Sequence, residues 1–198
     1  MYNGTMKKRS VAKEKKPSRA GRNVLRVLLT LFWLLTAAFI IYNGTSNAEQ
    51  SSAQSGGVTA AVQAVAGFFA PDSWVASAEG AALETLHSYV RTAAHFLEYC
   101  LLGALSVWCY LAWDTEKVGA IVPFCIAFYF PMVDEYLQGH TAGRAAEAAD
   151  ILVDIAGGWS GCLFAFFVFW ILWLVVKKRN KRREYGREKS GNRPREIQ

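Results

Sequence analysis

Ionisable and amide side chains crowd into one short segment of the sequence, VDEYLQGHTAGRAAEAAD at residues 133–150, between two strongly apolar stretches. It carries two adjacent carboxylates, an amide, an arginine and a further carboxylate: Asp134, Glu135, Gln138, Arg144 and Asp150. Paired carboxylates can act as general acid and base, and an arginine binds phosphate or carboxylate through two parallel hydrogen bonds. The composition of this segment therefore predicts a binding or catalytic site.

A second polar group lies upstream, where Arg91, His95 and Glu98 follow one another at intervals of four and three residues. On a helix this spacing puts all three side chains on one stripe. Two further pairs share the four-residue interval: Asp134 with Gln138, and Asp150 with Asp154. For catalysis, the candidate acids and bases are His95 with Glu98, or Asp134 with Glu135.

The basic residues show what kind of chain must position these groups. Of the 22 Lys and Arg residues, nine lie in residues 7–26 and ten in residues 177–198. Only three remain for the 150 residues between these two segments. A soluble domain distributes charge over its whole surface, whereas a membrane protein concentrates basic residues in its tails and loops. The distribution predicts an integral membrane protein.

Four apolar stretches predict an all-α membrane protein with four transmembrane helices, at about residues 24–42, 92–113, 118–133 and 151–176. Basic tails at residues 1–23 and 177–198 flank them, and the positive-inside rule puts both tails in the cytoplasm. The three polar groups then lie at the same level on the extracytoplasmic side, each at one end of a span. This convergence predicts one shared polar site built from three helices.

The long segment between the first two spans, residues 43–91, is predicted to be extracytoplasmic. Its first part, NGTSNAEQSSAQSGG at residues 43–57, has the composition of a flexible connector. A surface helix is expected to follow, and from Ser77 another helix runs into the second span. The alternative is that the first span is a cleaved signal peptide, which would leave three spans with the polar site on the same side.

The predicted spans also contain glycines and cysteines whose spacing bears on helix packing and metal binding. Gly157 and Gly161, four residues apart, and Gly103 predict close helix approach beside the polar groups. The four cysteines fall within the predicted spans and do not have the spacing of metal ligands. The two basic tails directly flank membrane spans, which favours anionic lipid over nucleic acid as their partner. No metal is expected, although a divalent metal is an alternative because the cluster offers enough oxygen and nitrogen donors: His95, Glu98, Asp134, Asp150 and Asp154.

Two stretches resemble the VanZ-like family of bacterial membrane proteins: RTAAHFLEY from Arg91, and DEYLQGHTAGRAAEAADILVDIAGGWSG from Asp134. The resemblance covers roughly residues 24–176. Position by position, the polar residues of the family motifs correspond here to Arg91, His95, Tyr99, Asp134, Glu135, Gln138, Arg144 and Asp150. Two positions depart from the pattern, because Asp154 stands where the family usually has Asn, and Thr92 where it usually has Lys.

The resemblance implies a multi-pass protein of the bacterial plasma membrane with a role in the cell envelope, and it suggests a contribution to resistance against the glycopeptide teicoplanin. Three hypotheses for the polar site stay open. It binds an amphiphile (a lipid headgroup, a lipid-linked wall precursor or a lipoglycopeptide), it catalyses a reaction on such a substrate, or it is a structural charge network. The predicted ligand-binding residues are Arg91, His95, Glu98, Tyr99, Asp134, Glu135, Gln138, Arg144, Asp150 and Asp154.

Overall fold

The structure, a computed structural model, describes residues 19–46, 48–113, 117–141 and 148–191. These residues form five α-helices and no β-strand: α1 (Arg19–Thr45), α2 (Ala48–Phe69), α3 (Ala81–Trp113), α4 (Val122–Gln138) and α5 (Ala148–Gly191). A 3₁₀ helix at Lys117–Ile121 leads into α4. The predicted all-α fold is confirmed.

Four of the helical segments are long and apolar enough to cross a membrane: Arg19–Thr45, Ala81–Trp113, Gly119–Gln138 and Ala148–Arg183. The shortest has 20 residues, which at about 1.5 Å per residue matches a hydrocarbon core about 30 Å thick. Large apolar side chains such as Phe32, Leu35, Phe164 and Phe167 are exposed on the outer surface of the bundle. A protein in water rarely exposes so much apolar surface, so these faces fit lipid, and the four predicted spans are confirmed.

The closest helix contact, between α3 and α5, depends on glycine. A Cβ atom on Gly103 would collide with the Gly158 carbonyl oxygen, and one on Gly161 with the carbonyl oxygen of Cys100. Gly157 is packed in the same way against the Phe96 carbonyl. The absence of side chains lets the two backbones touch, as predicted from Gly157, Gly161 and Gly103. This contact fixes the relative position of the polar residues on α3 and α5.

Helices α1 and α4 pack on the other sides of α3, and contacts near both ends show that α1 and α3 run antiparallel. Arg26, near the start of α1, donates from Nε to the Ala112 carbonyl at 2.8 Å, near the end of α3. Asn43, near the end of α1, contacts Glu98 in the first half of α3. Buried Ile40 and Tyr99 belong to the core cluster between these two levels. The ends of α1 and α4 therefore meet the beginnings of α3 and α5.

The prediction of a flexible connector at residues 43–57 was wrong. Helix α1 continues to Thr45, and α2 begins at Ala48. Hydroxyls within this segment and just after it donate to carbonyls one turn earlier, Ser55 to Ser51 at 2.9 Å and Thr59 to Ser55 at 2.8 Å. Such bonds keep hydroxyl side chains compatible with a helix, and packing of α2 on α3 supplies the stability that composition alone does not show.

The predicted helix entering the second span begins at Ala81, four residues after Ser77, and then continues without a break to Trp113. Gly80, directly before it, has a φ of 54°, a left-handed conformation that glycine adopts without steric cost. The Gln63 side chain of α2 donates to the Ala78 carbonyl at 3.0 Å, which ties the connection between the two helices to α2. Arg91 and His95 therefore lie on one rigid helix with the rest of the second span.

Candidate functional site

A cavity of about 300 Å³ lies at the end of the bundle where α1 and α4 end, and α2 covers one side of it. We call it the polar cavity. Its ionisable lining comes from α3 and α4 as Arg91, His95, Glu98 and Asp134, and α1 adds the amide of Asn43. Its apolar lining includes Phe39, Ile40, Val58 and Val90. Charged groups and an apolar wall thus share one space within a membrane-spanning bundle.

Asp134 is the most buried of the acidic groups in this lining, with 1% of its surface exposed. Its Oδ2 accepts hydrogen bonds from the Tyr99 hydroxyl and from Gln138 Nε2, each at 2.9 Å. Its Oδ1 has no hydrogen-bond partner among the described residues. One carboxylate oxygen is therefore held firmly by two helices, while the other keeps its hydrogen-bonding capacity.

Gly44 shows why the last turn of α1 has no side chain above this carboxylate. A Cβ atom at Gly44 would collide with Asp134 Oδ1. Any larger residue would push the end of α1 away from α4 or displace the carboxylate. The buried position of Asp134 thus depends on a glycine on another helix.

Two carboxylates of α5 contact the basic groups of α3. Asp150 Oδ2 lies 3.6 Å from an Arg91 guanidinium nitrogen, and Asp154 Oδ1 lies 3.6 Å from His95 Nδ1. The Arg91 side chain is 46% exposed, whereas Asp154 is fully buried behind His95. The first pair is a boundary contact of modest strength. The second pair lies at the edge of the cavity lining, which includes His95 but not Asp154, and its 3.6 Å separation is too long for a hydrogen bond.

Glu98 has a partner that the sequence pattern did not predict. Asn43 Nδ2 donates to Glu98 Oε1 at 3.2 Å. The available signal was an amide directly after the last apolar residues of the first span, which was instead assigned to the connector. Helix α2 adds further lining residues that were missed for the same reason: Ser51, Gln54 and Ser55.

The predicted site residues fall into three groups in the structure. Four of them line the polar cavity: Arg91, His95, Glu98 and Asp134. Five lie beside or behind that lining, either buried or in contact with it: Tyr99, Glu135, Gln138, Asp150 and Asp154. Arg144 lies outside the described residues. Three helices thus bring their polar groups together, and α1 contributes a fourth polar wall.

The chemistry available in this space follows from the lining. Arg91 can bind phosphate or carboxylate, and Glu98 and Asp134 can accept hydrogen bonds from amines, hydroxyls or amides. His95, with Asp154 Oδ1 3.6 Å from its Nδ1, is the lining side chain with the chemistry of a general acid or base. No group of three or more His, Cys, Asp or Glu residues within the described ranges is arranged to hold a metal ion.

Comparison with known proteins identifies the relationship at the level of the family. The family model described as VanZ/LLP1 matches residues 27–181. This range includes the second and third candidate spans entirely, the first from Val27, the fourth as far as Lys181, and every described residue that lines the polar cavity. Searches of curated proteins and of solved structures yield no significant match. The match covers more than half of the chain and agrees with the motifs around Arg91 and Asp134. The chain therefore belongs to the VanZ/LLP1 family.

Proposed function

We propose that this protein binds an amphiphile in the polar cavity, with the headgroup against Arg91, Glu98 and Asp134 and the apolar part against Phe39, Ile40 and Val58. The observation that carries this proposal is the mixed lining of one cavity, which combines charged side chains with large apolar ones. Ligand pockets combine apolar walls with a few well-placed polar groups. An amphiphile is the class of ligand that satisfies both walls at once.

The position of the cavity supports a ligand drawn from the membrane. The cavity lies at one end of the four candidate spans, at the level where the polar headgroups of a bilayer begin. A ligand with its headgroup there can keep its apolar tail in the hydrocarbon region. Lipid headgroups, lipid-linked wall precursors and lipoglycopeptides all have this form.

The basic tails support an extracytoplasmic orientation. The start of α1 carries Arg19, Arg22 and Arg26, and the end of α5 carries Lys177 and its basic neighbours. Both lie at the end of the bundle opposite the polar cavity. With these residues cytoplasmic, the cavity faces the outside of the bacterial plasma membrane. Family membership makes a contribution to glycopeptide resistance part of this proposal.

The experiment that tests the proposal fills the cavity without changing its charges. Ala94 lines the cavity, whereas its neighbour Ala93 is exposed outside it. We expect Ala94→Phe to lower the binding of a phospholipid to the purified protein by about tenfold or more, because the added ring occupies the binding space. Native mass spectrometry of lipid-bound states measures this. Ala93→Phe, with the same added ring, is the control, and equal binding by both variants would sink the proposal.

Catalysis on the bound amphiphile is a second candidate, favoured by the pair of His95 and Asp154. His95 lines the cavity while the buried Asp154 contacts its Nδ1 from α5, the arrangement of an oriented acid or base. Turnover of a labelled lipid-linked wall precursor by the purified protein would support this function, provided that His95→Ala abolishes it. Binding without turnover would leave the protein as a binding protein.

A further inference from the structure

Among the described residues, the acidic side chains in and around the polar cavity outnumber the basic ones. Each basic side chain in its lining already contacts a carboxylate of α5, Arg91 with Asp150 and His95 with Asp154. Glu98 and Asp134 line the same cavity, and within the described part of the chain neither forms an ion pair with Lys or Arg. Among the described residues, Glu98 and Asp134 are therefore the acidic groups of this lining that have no ion pair with Lys or Arg.

Asp134 Oδ1 provides a second and independent indication of a missing donor. The carboxylate is 1% exposed and lines the cavity, and Oδ1 has no hydrogen-bond partner among the described residues. A buried charged acceptor without a donor is costly. The Tyr99 and Gln138 bonds fix its Oδ2, so Asp134 cannot turn to another partner without breaking them. A donor from a ligand would remove this cost.

From these two observations we infer that the ligand carries a primary ammonium group, which binds between Glu98 and Asp134. The inference rests on the proposed function and specifies the headgroup. An ammonium has three donors, enough for Glu98 and for Asp134 Oδ1 together. Arg91, more exposed than either carboxylate, then meets an anionic group nearer the opening. The expected class is an amphiphile whose headgroup combines a primary amine with a phosphate.

The test compares two lipids that differ by one acetyl group on the amine nitrogen, which removes the positive charge. Phosphatidylethanolamine and its N-acetyl derivative are each offered to the full-length protein in detergent, and native mass spectrometry measures the bound fraction. We expect phosphatidylethanolamine to bind about tenfold or more tightly, because the acetylated nitrogen has no charge and fewer donors. Soluble phosphoethanolamine, added as a competitor, separates recognition of the headgroup alone from recognition of the whole lipid.

Two variants assign the preference to the carboxylates. Glu98→Gln keeps the shape of the side chain and removes its charge, so we expect the preference for the free amine to fall to within about twofold. Glu84→Gln, on the same helix but exposed and outside the cavity, is the matched control and should keep the full preference. Thermal unfolding of both variants shows that they are folded.

The outcomes separate the inference from the proposed function. Equal binding of the two lipids would overturn the ammonium assignment and leave amphiphile binding intact. A preference for the free amine that survives both Glu98→Gln and Asp134→Asn would overturn the assignment of the two carboxylates. If neither lipid binds, and Ala94→Phe matches the unmodified protein, the proposed function itself fails.

Discussion

The same three helices, α1, α3 and α4, line two cavities at opposite ends of the bundle, and the two differ in chemistry. The polar cavity has about 300 Å³ and four ionisable groups in its lining. The described residues that line the second cavity, about 390 Å³, carry no charge and include Trp33, Ser106, Cys109 and Trp113. We call it the apolar cavity. Cavity volume alone therefore does not distinguish the candidate site.

The polar contacts of the two cavities also serve different purposes. At the apolar cavity, Trp33 Nε1 donates to Ser106 Oγ at 2.7 Å and Trp113 Nε1 donates to Thr30 Oγ1 at 3.1 Å. These bonds satisfy indole groups that would otherwise be unpaired in an apolar space. At the polar cavity, Asp134 keeps an oxygen without a partner among the described residues. The two indoles at the apolar cavity are thus paired within the protein, whereas the cavity-lining Asp134 has a buried oxygen that is available to a donor from a ligand.

The largest expected loss of stability comes from a substitution that destabilises the whole bundle and so disturbs both cavities. Gly161→Ala would place a methyl group against the Cys100 carbonyl, in the contact that holds α3 to α5. We expect the free energy of unfolding to fall by about 1–3 kcal/mol, because neither backbone can move without disturbing the packing around it. Denaturant unfolding in detergent measures it. Gly67→Ala, where nothing lies within contact distance, should be neutral or slightly stabilising.

A somewhat smaller loss in the free energy of unfolding is expected from Asp134→Ala, a change that affects only the polar cavity. The change leaves the buried Tyr99 hydroxyl and the Gln138 amide without their acceptor. An unsatisfied buried donor costs about 1–3 kcal/mol, offset here because a buried carboxylate with one unpaired oxygen is also removed. We expect unfolding free energy to drop by about 1–2 kcal/mol and lipid binding to be lost. Unchanged stability would show that these two bonds contribute little.

The corresponding change at the apolar cavity is Ser106→Ala, which removes the acceptor of the Trp33 indole. We expect a loss of about 1 kcal/mol in the free energy of unfolding and no change in lipid binding measured by native mass spectrometry. A variant that lost binding while remaining folded would contradict the distinction between the two cavities.

The smallest effect on stability is expected from Arg91→Gln. Its contact with Asp150 is 3.6 Å long and nearly half of the Arg91 side chain is exposed, so the pair contributes about 0–1 kcal/mol. Binding of an anionic or zwitterionic lipid should nevertheless weaken by about tenfold, because the guanidinium is the lining group that meets phosphate. Arg22→Gln, at the opposite end of the bundle, is the control for loss of one positive charge.

Much of the architecture could be predicted because it depends on patterns local to each segment. Charge-free stretches indicate spans, and four-residue intervals put Arg91 and His95 on one helix face. Composition gave the wrong prediction for α2. Its serines and glycines are typical of a linker, but the segment forms a helix that is stabilised by packing on α3. The prediction also failed at Asn43, because its contact with Glu98 joins residues 55 positions apart. Contacts between helices depend on rotation and depth, which hydropathy does not show.

The sequence pattern also could not predict which of the site residues line the cavity and which lie behind them. The sequence grouped Asp134, Glu135 and Gln138 as one set of ligands. In the structure, Asp134 lines the cavity, and Gln138 orients the Asp134 carboxylate through a hydrogen bond. Glu135 is buried outside the lining. Neighbouring residues on a helix point in directions about 100° apart, so which of them faces a cavity depends on how the whole helix is rotated in the bundle.

The most direct test of the proposed binding site is photo-crosslinking with a phosphatidylethanolamine that carries a diazirine close to its headgroup. We expect labelled peptides to contain residues of the polar cavity, around Val90–Glu98 and Asn43–Val58, and this labelling to be lost in Ala94→Phe but kept in Ala93→Phe. Equal labelling of both cavities, unaffected by Ala94→Phe, would contradict binding of an amphiphile at the polar cavity.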